Sequence, residues 1–501
     1  MNSYWIQNGT GKAYPSLQKD INVNIVIIGA GLTGLSTAYY LSKREKDMIV
    51  VEADTICYGA SGRNTGKLTA QHGPIYKDLM KNYDLMIAKQ YYHANVEAIR
   101  SMESIIKEHD ISCGFNRRDT MLYTRDSTMV SELQEEYQAY LDIGIDCKYV
   151  ENVGDSYKIE AGLIMHNQAK FDPYQYGLGL SDILDERNIP IYEHSPVKTM
   201  VERGGHSYEL HINDYHVHAH YVIFASQFPF IDHAHFYFTK MYCEQESIAY
   251  MENFYNQPEI MMVNIEKPLH TYNIYKDKII VGGNSYKSGQ APEITHTKFM
   301  RDIRTLFPKE KVEYVWSSQD YITFDHIPFI GKLDKKDDHV LFASGFNKWG
   351  NSTSNIAGKL LSAYVLKLHS PYHMLYSPQR LSSLFTIPFV KENLNVAYEF
   401  IKSKFKYEDD EYPMLEEGKV MQIDGHSYGV YRDEHDELFI VDITCPHLGC
   451  VCSFNSVDKT WDCPCHGSRF SFKGDIIKGP ATHCLNKYGE GLNEIDPHIL
   501  K

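Results

Sequence analysis

The sequence predicts an α/β domain followed by a small all-β domain, and three features carry that reading. An apolar run breaks into a glycine turn, a helical stretch and a second apolar run that ends in an acid. Towards the C-terminus this gives way to short strand-like segments spaced by Gly and Asp. Six of the ten cysteines crowd between Cys445 and Cys484, while Cys57, Cys113, Cys147 and Cys243 stand singly, which points to a local metal site more than to a disulfide scaffold.

The first element is Val23 to Gly31, where Ile25, Val26, Ile27 and Ile28 end in Gly29-Ala30-Gly31. Leu32 to Lys43 reads as a helix and Met48 to Val51 as a strand ending in Glu52, completing a βαβ unit. Helical patterning from Asp78 to Glu108 then alternates with short strands. A second strand–glycine–helix passage runs from Val340 to Ala343, through Ser344-Gly345, into a helical run from Asn355 to Leu368. Pro371, Pro378 and Pro388 follow, and Phe389 to Lys406 reads as an amphipathic helix with Phe389, Leu394, Phe400, Ile401 and Phe405 as its apolar positions. The acidic patch Glu408 to Glu411, with Pro413, places a domain boundary at about 407 to 413. Lys419 to Ile423, Tyr428 to Tyr431 and Leu438 to Ile443 are the strands expected beyond it.

At 501 residues the chain exceeds the size at which one core keeps growing, so roughly two to four compact units are expected. With 43% hydrophobic and 23% charged residues it has the composition of a soluble globular protein. A net charge of −15 and the lack of a basic run argue against a nucleic-acid partner. Residues 1 to 20 hold no apolar segment behind a positive start, and nowhere do about eighteen apolar residues run together. No membrane association is expected, and the expected location is cytoplasmic.

The cysteine cluster contains two boxes, Cys445-Pro446-His447-Leu448-Gly449-Cys450 and Cys463-Pro464-Cys465-His466-Gly467-Ser468. Each holds two Cys and one His, enough to supply one thiolate and one imidazole to a metal; thiolates favour iron in clusters, and imidazoles raise the potential above that of an all-thiolate site. A Cys2His2 zinc site could draw on the same side chains, but zinc modules usually begin with two closely spaced cysteines, and the paired extra cysteines would go unexplained. The spacing C-x-H-x15-C-x2-H, with its flanking Pro, Gly and Ser, closely resembles the Rieske [2Fe–2S] signature, over roughly Glu416 to Asp496. The resemblance implies that Cys445 and Cys463 ligate one iron and His447 and His466 the other. It further implies a Cys450–Cys465 disulfide between the loops, and a shielding loop at Gly479-Pro480-Ala481. A disulfide in a reducing cytoplasm is unusual, so this bridge is either sheltered or open in the cell. Cys452 and Cys484 match no ligand position and are expected to be core or surface thiols. Ser468 keeps the hydroxyl that high-potential Rieske proteins aim at the cluster, but Phe470 stands where they carry tyrosine. The expected potential therefore falls in the lower half of a range of roughly −150 to +300 mV.

Gly29-x-Gly31-x-x-Gly34 lies between strand and helix, where glycines let a pyrophosphate approach the helix N-terminus and Glu52 can accept ribose hydroxyls, so a dinucleotide site is expected. The stretch Gly59-Ala60-Ser61-Gly62-Arg63-Asn64-Thr65-Gly66 resembles a loop of the D-amino-acid oxidase/glycine oxidase superfamily of flavoenzymes. So do the late passages Asp325-x-x-Pro328-x-Ile330-Gly331 and Ala343-Ser344-Gly345-Phe346-x-x-x-Gly350, together with the opening Ser3-Tyr4-Trp5. The resemblance spans residues 1 to about 370 and implies an α/β FAD-binding Rossmann-like domain, 1–375, with an interleaved α+β substrate domain. The FAD-binding parts are expected at about 20–99, 155–230 and 320–375, and the substrate domain at about 100–154 and 231–319. A linker helix, 376–411, and the all-β Rieske domain, 412–501, would follow.

Carried over residue by residue, the resemblance gives Gly29, Gly31 and Gly34 to the pyrophosphate of FAD, Glu52 to the adenosine ribose and the Val197 backbone to adenine. Ser61, Arg63 and Asn64 would run along the ribityl–flavin edge, and Gly345, Lys348, Trp349 and Gly350 beside the pyrimidine side of the ring. A cation there stabilises charge developing on the reduced flavin, which makes Arg63 and Lys348 the candidate catalytic groups; a solvated loop lysine is the alternative for Lys348. His72 reads as a supporting histidine in preference to a catalytic group or a covalent flavin anchor. Tyr250, Tyr272, Tyr275 and Tyr286 fall in the substrate-side stretch, and the sequence does not select among them.

Together the motifs imply an oxidoreductase in which a small amine or amino acid delivers a hydride to FAD and leaves as an imine. Electrons would pass singly to the [2Fe–2S] cluster and on to an external acceptor, such as a soluble protein. The alternatives are an amine oxidase reoxidised by oxygen, with the Rieske domain as a docking module, and reverse flow from a donor protein through the cluster to the flavin. A mononuclear-iron Rieske oxygenase is excluded more firmly, because no 2-His-1-carboxylate set in a matching domain accompanies the boxes.

Overall fold

In the computed structural model, which describes residues 3–153, 158–230, 237–253, 259–290, 292–380, 387–404, 412–423 and 426–488, the first apolar run is a central strand of a mostly parallel sheet. Ile21–Ile28 pairs in parallel with Met48–Val51 on one side and Tyr215–Phe224 on the other. The sheet continues to Ile191–Tyr192 at one edge, and through Asp337–Ser344 to Phe329–Asp334 at the other. Ile25, Val26 and Ile27 are all buried, because a strand covered on both faces needs apolar side chains at successive positions. The helices Leu32–Leu41 and Gly350–Val365 pack on each other, and Gly358 permits the contact: a Cβ there would stand 2.7 Å from that of Ser36.

A second, nine-stranded sheet is mostly antiparallel, with Val312–Thr323 at its edge next to Met241–Glu252. Ile159–Lys170, expected within the FAD-binding parts, belongs here instead, paired with Asn116–Thr124 and Cys147–Val153. Its buried Ile159, Ala161, Leu163 and Met165 fall on one side, with Glu160, Ile164 and His166 more exposed and Gly162 the buried exception, which suits an antiparallel strand with one face on the core. The helical stretch from Asp78 is two helices, Tyr76–Asn82 and Leu85–Glu108, because the Asp84 carboxylate accepts the Ile87 N–H at 2.8 Å and starts the second.

The helix Ile387–Lys404 follows, but not on the face the apolar pattern suggested. Leu394 and Phe400 are exposed, whereas Glu392 pairs with Lys287, Asn393 donates to Thr239 O at 3.0 Å and Val396 packs on the β-domain core. Phe405 and positions 407–411 lie outside the described residues, as do the side chains of Phe389 and Ile401. Beyond it stand a three-stranded sheet, Glu417–Ile423, His426–Arg432 and Leu438–Asp442, and a four-stranded one, Ser453–Asn455, Thr460–Asp462, Arg469–Ser471 and Ile476–Lys478. No helix among the described residues is long and apolar enough to cross a membrane.

One buried ion pair clamps the late motif. Arg380 reaches both carboxylate oxygens of Asp325, at 2.7 and 2.9 Å, and Tyr83 donates to the same group at 2.9 Å. Burial alone would raise the Asp325 pKa, but the Arg380 guanidinium holds it below its usual value. Replacing Arg380 with Met leaves a buried carboxylate unpaired and is expected to cost about 3–5 kcal/mol in denaturant unfolding. Because the folded pKa is depressed, this stabilisation is full above the unfolded value and is lost as pH falls through the folded one. The gap between wild type and variant should therefore narrow below about pH 4, and a gap independent of pH would contradict this assignment.

Candidate functional site

Gly29 turns the chain at φ +107°, and a Cβ there would come within 2.7 Å of Ala225 O. Gly34 is tighter still, with a Cβ position 1.8 Å from Gly29 O, so the turn packs directly on the helix start. Ser61 Oγ accepts the Leu32 N–H at 3.0 Å. That helix N-terminus opens on a cavity of about 650 Å³, the arrangement that receives a phosphate. Glu52 flanks the turn, its carboxylate accepting the N–H groups of Ala30 at 2.7 Å and Asp54 at 3.0 Å, while burial raises its pKa.

Gly29, Gly31, Glu52, Ser61, Arg63 and Asn64 all line this cavity. So do Val197, Gly345, Lys348, Trp349 and Gly350; Gly34, expected at the pyrophosphate, does not line it and instead packs against the Gly29 carbonyl. Two expected contacts are already occupied by protein. Asn64 spends its amide within the loop, donating to Ala60 O and Ser61 O and accepting from Gly66 N and Asn351 Nδ2. Lys348 is no solvated loop lysine: Nζ pairs with Glu244 at 2.7 Å and donates to Ser285 Oγ. Desolvation pulls its pKa down, but Glu244 and Glu246 outweigh that and raise it. Arg63 donates to Tyr58 O at 3.0 Å and lies over the Tyr58 ring.

His72 has both ring nitrogens engaged, with Tyr91 OH and Thr69 O each at 2.7 Å, and its ring stacks on Trp349 at 4.7 Å. Burial pushes its pKa down to about 3, so it is a neutral prop for Trp349. None of the four tyrosines singled out lines the cavity. Tyr250 stacks on Tyr4, Tyr275 packs on Trp5, Tyr272 on Phe307, and Tyr286 donates to Gln245. Sequence reasoning missed Lys67, which burial pushes down to about 7 and which faces the Trp349 ring at 5.6 Å. The signal was a lysine inside the otherwise small and apolar stretch from Thr65 to Ala70.

In the β domain, the two boxes form facing loops closed by Cys445 N–H to Cys450 O at 2.8 Å and Cys463 N–H to Ser468 O at 2.8 Å. Gly449 and Gly467 supply the positive φ of these turns, and Cys450 and Cys465 are joined as a disulfide. The His447 and His466 rings lie edge to face at 4.9 Å, and their buried Nδ1 atoms have no hydrogen-bond partner among the described residues. Burial keeps both imidazoles neutral, His466 down to about 3. Cys445, Cys463 and also Cys452 bring their sulfur atoms within 4.8 Å of one another. Hydrogen bonds from Cys452 and Cys463 hold the Cys445 thiol far below its usual range. Cys484 is exposed and borders the cavity.

One strand pair contacts both the Lys348 side of the cavity and the β domain, with alternate side chains. Along Met241–Glu252 and Val312–Thr323, side chains alternate, as in any strand. Glu244 and Asp320 face Lys348, by side chain and by the Lys348 N–H at 2.8 Å. Their neighbours face the β domain: Ser317 donates to Asp458, Gln319 to Gly467 O at 2.7 Å, Tyr321 to His466 O at 3.1 Å and Gln245 to Asp462 at 2.9 Å. Phe238 lies edge-on to His466 at 5.0 Å.

The model of the DAO family, FAD-dependent oxidoreductases, matches residues 24–364, and that of the Rieske [2Fe-2S] domain matches residues 406–489. The chain belongs to the DAO family of FAD-dependent oxidoreductases and carries a C-terminal Rieske [2Fe–2S] domain. It is 34% identical over 494 residues, 97% of either chain, to the putative Rieske 2Fe-2S iron-sulfur protein YhfW of Bacillus subtilis (strain 168). Gamma-glutamylputrescine oxidoreductase of Escherichia coli (strain K12) is 22% identical over 70% of this chain and 85% of its own. The fold matches that of glycine oxidase from Geobacillus kaustophilus, with a TM-score of 0.59 at 14% identity over 72% of this chain and 100% of the other.

Both cofactors of these families fit. The glycine cradle that a Cβ would fill suits FAD, and two buried imidazole nitrogens without a partner among the described residues, beside close thiols, suit a [2Fe–2S] cluster. Phe470 is fully buried and offers no hydroxyl. The Rieske potential should lie in the lower half of roughly −150 to +300 mV, and Phe470→Tyr should raise it. A redox titration placing the wild type near the upper end would contradict this.

Proposed function

We propose that this chain is an amine or amino-acid dehydrogenase whose electrons leave the flavin site singly through the Rieske centre to an external acceptor. The observation that carries the reading is the shared strand pair: the Gln319 and Tyr321 side chains bond the backbone beside a cluster ligand, while Asp320 between them bonds the Lys348 backbone of the flavin site. A domain that served only for docking would have no reason to present its metal-binding loop to that wall.

Bound FAD supplies a two-electron hydride acceptor, and the Rieske cluster a one-electron carrier. The protein orients and excludes water. Trp349, backed by His72, gives a rigid flank, and the Lys348–Glu244 pair sets the local charge. Arg63 and Lys348 are the groups assigned to stabilise charge on the reduced ring. Cys445, Cys463, His447 and His466 are assigned as iron ligands. The substrate class follows from gamma-glutamylputrescine oxidoreductase and glycine oxidase, whose names specify an amine and an amino acid. The acceptor is a soluble cytoplasmic protein meeting the exposed tip at Pro446 and Leu448, the latter 50% exposed.

Anaerobic addition of a panel of amines and amino acids tests the direction. An active substrate should bleach the flavin and then reduce the cluster with no added reductant. Flavin reoxidation by oxygen that outruns cluster reduction, in a parallel aerobic stopped-flow trace, would refute the dehydrogenase reading.

A further inference from the structure

The FAD-binding sheet carries a pair of imidazoles that neither redox centre uses. Its side hairpin, Val197–Gly204 and Ser207–Ile212, turns through Gly205 and His206, at φ +63° and +57°. A hairpin turn of this kind needs positive φ at both central residues, which glycine and asparagine meet most easily, so the His206 imidazole is mounted on a backbone that few side chains adopt. Ser207–Ile212 pairs with Tyr215–Phe224, which pairs with Asp337–Ser344, and the hairpin tip reaches the start of that last strand.

There the His206 and His339 rings stack with centroids 4.0 Å apart. Asp337 lies beside both, with Oδ1 3.9 Å from His206 Nδ1 and 3.7 Å from His339 Nδ1. One nitrogen of each ring and one carboxylate oxygen thus fall within 4.8 Å of one another. The carboxylate forms no ion pair with a Lys or Arg among the described residues. Its Oδ2 accepts the Tyr208 hydroxyl at 2.6 Å and its Oδ1 the His339 N–H at 2.8 Å, which fixes its orientation and leaves a lone pair on each oxygen. His339 Nδ1 is buried and has no hydrogen-bond partner among the described residues, an unfavourable state for a polar atom. Burial, and then His206, hold the His339 pKa below its usual value although Asp337 and Asp338 pull the other way, so the ring is neutral and offers a lone pair.

Two imidazole nitrogens and a carboxylate oxygen suit a divalent ion of the later transition series, bound at about 2.0–2.2 Å with water completing the shell. Calcium and magnesium, which take oxygen ligands, do not suit them. Around such an ion the ligand atoms stand about 3.4 Å apart, so the gaps need to close by only about half an ångström. His206, 54% exposed on its turn, can supply that movement by swinging its ring off the stack. The Tyr208–Asp337 bond is the outer support that metal-binding carboxylates use. A second group nearby lacks this freedom: His216 and His218 face Glu209, but Arg203 already holds both oxygens of that carboxylate, at 2.6 and 3.2 Å.

We propose that His206, Asp337 and His339 form a binding site for a divalent late-transition-metal ion such as Zn²⁺, which ties the hairpin turn to the sheet. The site is separate from both redox centres. None of the three residues lines the flavin cavity, and Ser344, which does, stands at the other end of the strand, roughly 20 Å away. The set belongs to the FAD-binding sheet and not to an oxygenase domain, and it depends on neither the substrate nor the direction of electron flow. An ion bound only by the folded chain stabilises it by mass action.

The test is calorimetric titration of Zn²⁺ into full-length, cofactor-loaded protein desalted from dilute chelator. Wild type should show a site that His206→Ala and His339→Ala each remove. Tyr208→Phe keeps every ligand and should weaken binding by about tenfold to a hundredfold. The double substitution His216→Ala with His218→Ala should leave the affinity unchanged. In thermal unfolding Zn²⁺ should raise the Tm of wild type but not of His206→Ala, whose change lies on an exposed turn. No uptake by wild type overturns the proposal. So does uptake that is equal in the His206 and His339 variants, as displacement of iron would be, or uptake that is lost with His216 and His218 instead.

Discussion

Hydrogen bonds from Gln319 to Gly467 O and from Tyr321 to His466 O fix the metal-binding loop against the edge strand of the nine-stranded sheet. Everything functional depends on this contact, because it decides whether two redox sites in one chain are neighbours. Its fit is close: a Cβ at Gly467 would stand 2.6 Å from that of Cys243, and one at Gly289 would stand 2.7 Å from Pro464 N. Behind it Asp458, Asp462 and Arg469 form a buried charged network that also holds Ser317 and Gln245. Removing one member would strand a buried charge, so the network favours one docked geometry over slightly displaced ones.

Strand alternation then divides the chemistry. On one face Glu244 and Asp320 meet Lys348; on the other Gln319 and Tyr321 donate to backbone carbonyls of the Rieske loop, while Ser317 and Gln245 donate to the Asp458 and Asp462 carboxylates. The β-domain side has its own charges, but Asp458 and Asp462 are neutralised by Arg469, and the His447 and His466 imidazoles beside the boxes are kept neutral by burial.

What the sequence revealed and what it hid follow from the same physics. The βαβ turn and the paired boxes were legible because a pyrophosphate turn and a cluster each require fixed residue types at fixed short spacings. Asn64 and Lys348 were placed at the cavity, but their partners were not foreseeable, since Asn351 and Glu244 come from distant segments. The helix Ile387–Lys404 was recognised by periodicity, yet it docks through Glu392, Asn393 and Val396, so Leu394 and Phe400 misled. The tyrosines misled because packing of Tyr4 and Trp5 on Tyr250 and Tyr275 looks, in sequence, the same as lining a pocket. The docking surface left no local trace, because alternation within Val312–Thr323 means something only once its neighbours are known.

The most direct check on the docked arrangement is the rate of cluster reduction after anaerobic flavin reduction, followed over a roughly tenfold range of protein concentration. Neighbouring centres within one chain predict a first-order rate that does not change with concentration. A rate rising in proportion to protein would mean that electrons travel between molecules, and the docked arrangement would have no role in the transfer.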